Sequence, residues 1–84
     1  MADVRLTLKA QKDMDGLPVT IRLRTVAILA RLRDWPQVSG AKPLTGRLAG
    51  RYRMRTGDYR VQFFVQGGAV IVEKIGHRDG FYED

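Results

Sequence analysis

The chain has 84 residues, 44% of them hydrophobic and 29% charged, the composition of one small folded domain (1–84) rather than a disordered segment. Its formal charge is +6 and eleven of its fifteen basic residues are arginine, a bias toward forked contacts with phosphate or carboxylate groups, so the expected partner is a nucleic acid or an acidic protein. It has no cysteine, which excludes disulfides and thiolate metal ligands; no apolar run reaches the ~18–20 residues a membrane span needs, and no signal-like apolar stretch follows Met1-Ala2-Asp3-Val4-Arg5, so a cytoplasmic protein with no membrane association is expected.

Val4-Arg5-Leu6 alternates and predicts a short first strand. Thr7 can cap a small helix in which Ala10, Met14 and Leu17 recur at helical spacing, with Gly16 near its end. Pro18 suits the first turn of a second helix over about 19–35. Ile21, Thr25, Ile28, Leu32 and Trp35 form its core stripe, Val26 and Leu29 widen that stripe, and Pro36 ends it. The basic residues Arg22, Arg24, Arg31 and Arg33 read as its solvated side. Gln37 to Pro43 has turn formers and no period, which predicts a loop, and Leu44 to Gly50 a tight connection whose leucines plug the core edge.

Three strands are predicted next, at about 51–56, 59–66 and 69–76, with hairpin turns at Gly57-Asp58 and Gly67-Gly68. Tyr59, Val61, Phe63 and Val65 share one face of the middle strand, while Arg60, Gln62 and Phe64 share the other. Ala69-Val70-Ile71-Val72 is continuously apolar, as in a central strand covered on both sides. The residues from Gly76 to Asp84 carry no regular pattern. The sum is an α+β domain: a short N-terminal strand, two helices, then a three-strand antiparallel meander, with both helices on one face of a twisted sheet.

The run Arg51-Tyr52-Arg53-Met54-Arg55 alternates arginine with an apolar residue, so Arg51, Arg53 and Arg55 project to one side. Neighbouring arginines then stand ~7 Å apart, about the spacing of successive phosphates on one nucleic-acid strand. The second cluster is Gly76-His77-Arg78-Asp79-Gly80-Phe81-Tyr82, which holds the only histidine. Cleavage of RNA by its own 2′-hydroxyl needs proton transfer, charge neutralisation at phosphorus and an extended nucleotide. Arginines supply the second, histidine can supply the first near neutral pH, and tyrosine or phenylalanine can stack a base. No metal or other cofactor is called for, and one histidine with scattered carboxylates has no metal-ligand spacing. The bland alternatives are a solvated arginine strand, a capping histidine and an Arg78–Asp79 ion pair.

The string Leu44-x-Gly46, Gly50-x-Tyr52-Arg53-x-Arg55-x-Gly57-Asp58-Tyr59-Arg60, a hydrophobic strand, then Gly76-His77-Arg78 and Tyr82 resembles the RelE/ParE superfamily of bacterial toxins. The resemblance runs along essentially the whole chain and is most specific in its C-terminal half. It implies the toxin of a type II toxin–antitoxin pair. RelE-like members enter the ribosomal A site and cut mRNA without metal, leaving a 2′,3′-cyclic phosphate, and an antitoxin wraps and neutralises them in a hetero-oligomer. On that likeness Arg53, Arg55, Arg60, His77, Arg78 and Tyr82 are the catalytic set, with Arg47, Arg51 and Phe81 as further RNA contacts. The prototype has lysines where this chain has Arg53 and Arg55, and arginine does not give up its proton. Proton transfer is therefore expected of His77. The antitoxin is expected to offer an acidic, partly disordered segment to Arg53 or Arg55. The alternatives are a ParE-like poison of DNA gyrase that cuts no RNA, and a degenerate, non-catalytic binding module.

Overall fold

A computed structural model describes residues 1–82; Glu83 and Asp84, the end of the stretch expected to be irregular, lie outside the described residues. The chain runs β1 (Asp3–Leu6), α1 (Leu8–Asp15), α2 (Val19–Leu32), β2 (Lys42–Pro43), a 3-10 turn over Gly46–Leu48, β3 (Arg51–Thr56), β4 (Tyr59–Gln66) and β5 (Ala69–His77). The strands make one sheet in the order β1-β5-β4-β3-β2. β3, β4 and β5 are the expected antiparallel meander, and β1 returns parallel to β5, with Val4 opposite Val70 and Leu6 opposite Val72.

Local chemistry explains these elements. The Thr7 hydroxyl accepts from the Ala10 amide and caps α1, and the Gly67-Gly68 turn has positive φ at both glycines, the geometry a two-residue hairpin prefers. Pro18 is the N-cap of α2 rather than a residue of its first turn, and α2 stops at Leu32, short of the expected end near 35. β1 is too short to cover the whole of β5. Beyond Val72 the uncovered edge of β5 is met instead by Thr7, which donates to Val72 O, and by the Asp13 carboxylate, which accepts from the Ile75 amide at 3.0 Å.

Both helices lie on one face of the sheet. Ala10 and Leu17 from the first helical unit and Ile28 and Leu32 from α2 pack with Met54, Val61, Phe63, Val70, Val72 and Ile75. Trp35 closes this core edge-on against Tyr52 and Phe63, at ring separations of 4.7 and 5.3 Å.

Four expectations change. Val26 does not widen the buried stripe: it follows buried Thr25, about 100° further round the helix, and is 50% exposed. Lys42-Pro43 is not loop but a two-residue edge strand on β3, Pro43 pairing with Tyr52 at the rim, where a missing amide donor is tolerated. β5 does not stop near 76 as a plain strand. Gln62 pairs with Lys74 while Phe63 pairs with Val72, so Glu73 is an extra, bulged residue and the strand runs on to His77. Leu48 does not plug the core edge; it lies across the sheet, beside Gln62.

This layering sets the cost of two substitutions. Phe63→Ala, at a fully buried site, should destabilise by about 3–5 kcal/mol. Val26→Ala should stay within about 0.5 kcal/mol. Denaturant unfolding of the two variants checks the contrast, and equal losses would contradict the position of α2.

Candidate functional site

The register of β3 on β4 fixes what faces away from the helices. Met54 pairs with Val61 and Tyr52 with Phe63 on the core side, so the alternate pairs, Arg51 with Phe64, Arg53 with Gln62 and Arg55 with Arg60, must face the other way. Arg53, Arg55 and Arg60 therefore share one surface, as the alternation predicts. The bulge at Glu73 adds two residues from β5. Without it, Lys74 would follow Val70 and Val72 into the core; with it, Glu73 and Lys74 both join the arginine face and Ile75 returns to the core at 4% exposure.

The far side of this face is built by the C-terminal segment. Phe81 folds back over Gly76, where an added Cβ would meet its ring at 3.3 Å. The Lys74 ammonium donates to the Phe81 carbonyl and sits 4.6 Å from the Phe81 ring centre. Tyr82 then stands edge-on to Phe81 and, with Arg47, Leu48, Gln62 and Lys74, encloses a cavity of about 300 Å³. Phe81 is itself only 3% exposed, so it braces the segment and is not placed to stack a base; the 46% exposed Tyr82 is.

The electrostatics are lopsided. Among the described residues, Arg47, Arg51, Arg53, Arg55, Arg60 and Lys74 meet one carboxylate, Glu73, whose Oε2 accepts from Arg51 Nε at 2.6 Å and from Gln62 Nε2 at 3.0 Å. Arg60 is 9% exposed and folds back to donate to the carbonyls of Gly57 and Tyr59, which relieves its like-charge pairing with Arg55. Arg53 Nε is buried and, among the described residues, is the buried side-chain donor that meets no acceptor. A charged donor left in that state costs ~1–3 kcal/mol or more, which an incoming oxyanion would recover.

Arg78 lies at the end of the sheet. Its amide donates to Asp58 O at 2.6 Å and its Nε is 3.8 Å from Asp58 Oδ1 and from Asp79 Oδ1, while its side chain stays 59% exposed. Arg60, in β4, and Arg78, just past the end of β5, thus converge on the Gly57-Asp58 turn. His77 reaches the same turn, with Nε2 4.0 Å from Asp58 Oδ2 and Nδ1 3.5 Å from Asp79 Oδ2. It pairs with Tyr59, whose ring it meets edge-on at 5.2 Å, and so projects from the helix side of the sheet. Its Nδ1 accepts from the Asp79 amide at 3.1 Å. The sheet lies between the imidazole and Arg51, Arg53 and Arg55, whereas Arg78 stands on the same two carboxylates as His77. Lys74 is the residue that sequence reasoning missed. Its signal was the broken alternation of Val70, Val72 and Ile75.

The comparisons agree with this architecture. A model for the family described as the ParE toxin of the type II toxin–antitoxin system parDE matches residues 4–80. Toxin RelE3 of Methanocaldococcus jannaschii is 28% identical over 75 residues, 86% of this chain and 85% of that protein. The toxin–antitoxin complex RelBE2 of Mycobacterium tuberculosis contains a chain 30% identical, with a TM-score of 0.80 over 92% of this chain and 91% of that one. The isolated E. coli RelE toxin superposes with a TM-score of 0.77 at 18% identity, over 92% of this chain and 84% of its own, a likeness in fold alone. Fold and matches together define a toxin of the RelE/ParE superfamily. Within it, the chain belongs to the ParE toxin family of type II toxin–antitoxin systems.

The unequal surroundings of two arginines can be tested by stability alone. Arg53→Met should raise stability by about 1 kcal/mol, since it removes a buried donor that has no acceptor. Arg60→Met should lower it by roughly 1–3 kcal/mol, through loss of two bonds to the turn. Denaturant melts in a phosphate-free buffer measure both.

Proposed function

We propose that this toxin is a ribosome-dependent endoribonuclease that cuts mRNA by attack of a 2′-hydroxyl on the neighbouring phosphate. The observation that supports this most is the buried Arg53 Nε, which meets no acceptor, on a face where, among the described residues, six cations meet one carboxylate. Such a face is poorly satisfied by the protein itself and complementary to a run of phosphates. The likeness to RelE toxins agrees with this reading.

In this mechanism Arg51, Arg53 and Arg55 hold the backbone of the single strand, one phosphate to each guanidinium. Tyr82 stacks on a base beside the cavity and keeps adjacent nucleotides splayed, which brings the 2′-oxygen in line with the leaving 5′-oxygen. Arg60 and Arg78 neutralise charge as phosphorus becomes pentavalent. The 2′-oxygen bonds to phosphorus, the bond to the 5′-oxygen breaks, and the products are a 2′,3′-cyclic phosphate and a 5′-hydroxyl. Two proton movements accompany this: one leaves the 2′-hydroxyl and one reaches the 5′-oxygen. Arginine can do neither. Lys74, an ammonium at the cavity wall, donates to the 5′-oxygen in this scheme, and the 2′ proton passes to solvent. The work takes place in the cytoplasm, with a cognate antitoxin holding the toxin inactive in a hetero-oligomer; related toxins have been solved in such complexes.

A second reading has its own support: the matching family model is that of ParE toxins. A gyrase poison would use the same cationic face against an acidic protein surface or DNA. Incubating the purified chain with mRNA-programmed ribosomes, and separately with gyrase and relaxed plasmid, divides the readings. Cut mRNA ending in a cyclic phosphate supports the nuclease. Blocked supercoiling with intact mRNA replaces it with the gyrase poison, and inactivity in both leaves a binding module.

The side chains should respond unequally. Lys74→Met should slow single-turnover cleavage by ~10²-fold or more, and Lys74→Arg should restore mRNA binding without restoring the rate. Arg78→Ala should cost ~10²-fold while leaving the melt unchanged, because the side chain is exposed. His77→Gln should cleave at nearly the parental rate. A collapse in rate for His77→Gln, with Lys74→Met unaffected, would return proton transfer to the imidazole.

A further inference from the structure

Gln62 stands in the middle of the arginine face with one half of its side chain unused. The strand register sets it between Arg53 on β3 and Lys74 on β5, and it is 6% exposed. Glu73 fixes which way round its amide lies. A carboxylate only accepts, so Gln62 Nε2 is the end that meets Glu73 Oε2, at 3.0 Å, and Arg51 Nε holds that same oxygen at 2.6 Å. The Gln62 carbonyl oxygen is thereby turned away from Glu73. Among the described residues it meets no donor, yet it is not one of the buried atoms left without a partner, so it keeps access to solvent. The opening beside it is the cavity of about 300 Å³ that Gln62 lines together with Arg47, Leu48, Lys74 and Tyr82.

We propose that the Gln62 carbonyl oxygen reads the base that stacks on Tyr82, and selects adenine or cytosine over guanine or uracil. The inference rests on the nuclease reading above and adds which nucleotides that site accepts. Of the side chains lining the cavity, Arg47 and Lys74 only donate, and Leu48 is apolar. Gln62 and the Tyr82 hydroxyl are the two that can accept, and the hydroxyl can turn to donate instead. A fixed acceptor beside two cations matches a base edge that carries an amino group next to a ring acceptor. Adenine presents that edge with its 6-amino group and N1, and cytosine with its 4-amino group and N3. Guanine and uracil carry a carbonyl oxygen in place of that amino group and would set it against the Gln62 oxygen. A freely turning glutamine would offer its NH2 to those bases and read all four. This one cannot, because the turn would put a carbonyl oxygen against the Glu73 carboxylate. The chain of contacts from Arg51 through Glu73 to Gln62 is therefore what makes the site selective.

The first arm of the test needs no mutation. The 5′-monophosphates of adenosine, purine riboside and inosine share one size and charge, and carry at the same corner of the base an amino group, a hydrogen or a carbonyl oxygen. Titrated into the isotope-labelled full chain, adenosine monophosphate should shift the Gln62 side-chain amide resonances. It should bind about 5-fold tighter than the purine riboside and about 10-fold tighter than inosine monophosphate. Gln62→Met leaves Glu73 on Arg51 but removes the acceptor, and the three affinities should then converge. If that variant lacks a cooperative melt, the parental ranking decides alone. In the second arm, programmed ribosomes carry mRNAs varied at the two nucleotides flanking the cut. At one of those positions adenine or cytosine should be cut about 5-fold faster than guanine or uracil, and folded Gln62→Met should narrow that ratio. Equal binding of the three nucleotides, binding of none, or a preference that survives in folded Gln62→Met would each overturn the proposal. So would mRNA cut at rates indifferent to both positions. Failure of the nuclease reading would show differently, as uncut mRNA beside an intact, Gln62-dependent preference for adenosine monophosphate.

Discussion

One strand register organises this molecule. Met54 opposite Val61 and Tyr52 opposite Phe63 put these four side chains on the helix side of the sheet. The same pairing obliges Arg51, Arg53, Arg55 and Arg60 to the other side, because successive side chains alternate. A slip by one residue would bury four guanidinium groups and expose Phe63 and Val61, so the apolar half of the pattern enforces the charged half. The arginines are thus held on one surface by what lies behind them, without attracting one another. Like charges at these spacings repel, and the folded chain tolerates the repulsion because the core opposes it.

How each arginine meets that repulsion differs, and the differences are informative. Arg51 is paired to Glu73, Arg60 turns onto backbone carbonyls, and Arg55 remains exposed to water. Arg53 has a buried nitrogen with no acceptor. A surface evolved for stability alone would replace that side chain with an apolar one. Its presence places an unmet electrostatic demand at the centre of the face, which is the kind of local conflict found where function overrides stability. In a chain of 84 residues with a correspondingly small core, such a conflict consumes a substantial part of the stability, and complex formation with a partner would compensate for it.

Much of the fold was legible because the periods are strong. Alternation gave β3 and β4 and their faces, Thr7 and Gly16 bounded α1, and the Gly67-Gly68 pair marked its hairpin. The arginine surface was legible for the same reason. What could not be read came from places where tertiary structure breaks a period. The Glu73 bulge turns Lys74 outward and so alters the chemistry of the face, and its trace in the sequence is one displaced apolar residue, Ile75. The face on which His77 stands could not be read, because the outlook of a strand-end residue depends on the register with Tyr59, fixed many residues away. Val26 looked like core because an apolar helix position does not say which of two stripes it serves. Phe81 looked available to a base until the chain folded it onto Gly76.

These departures share a consequence for the chemistry. Arginine at positions 53 and 55 gives strong, permanent charge but no proton exchange, so a face made of β3 and β4 alone could bind a polyanion and do little else. The bulge in β5 supplies what that face lacks. It sets an ammonium beside Gln62 and ties it to the segment that carries Tyr82, so the proposed proton donor and the proposed stacking ring are positioned by one contact, Lys74 with Phe81. Any change that straightened β5 would return Lys74 toward the core, release the Phe81–Tyr82 segment and leave the arginines in place. Under the proposed mechanism, binding and bond cleavage are therefore separable in this architecture: the first depends on the β3–β4 register, the second on one extra residue in β5.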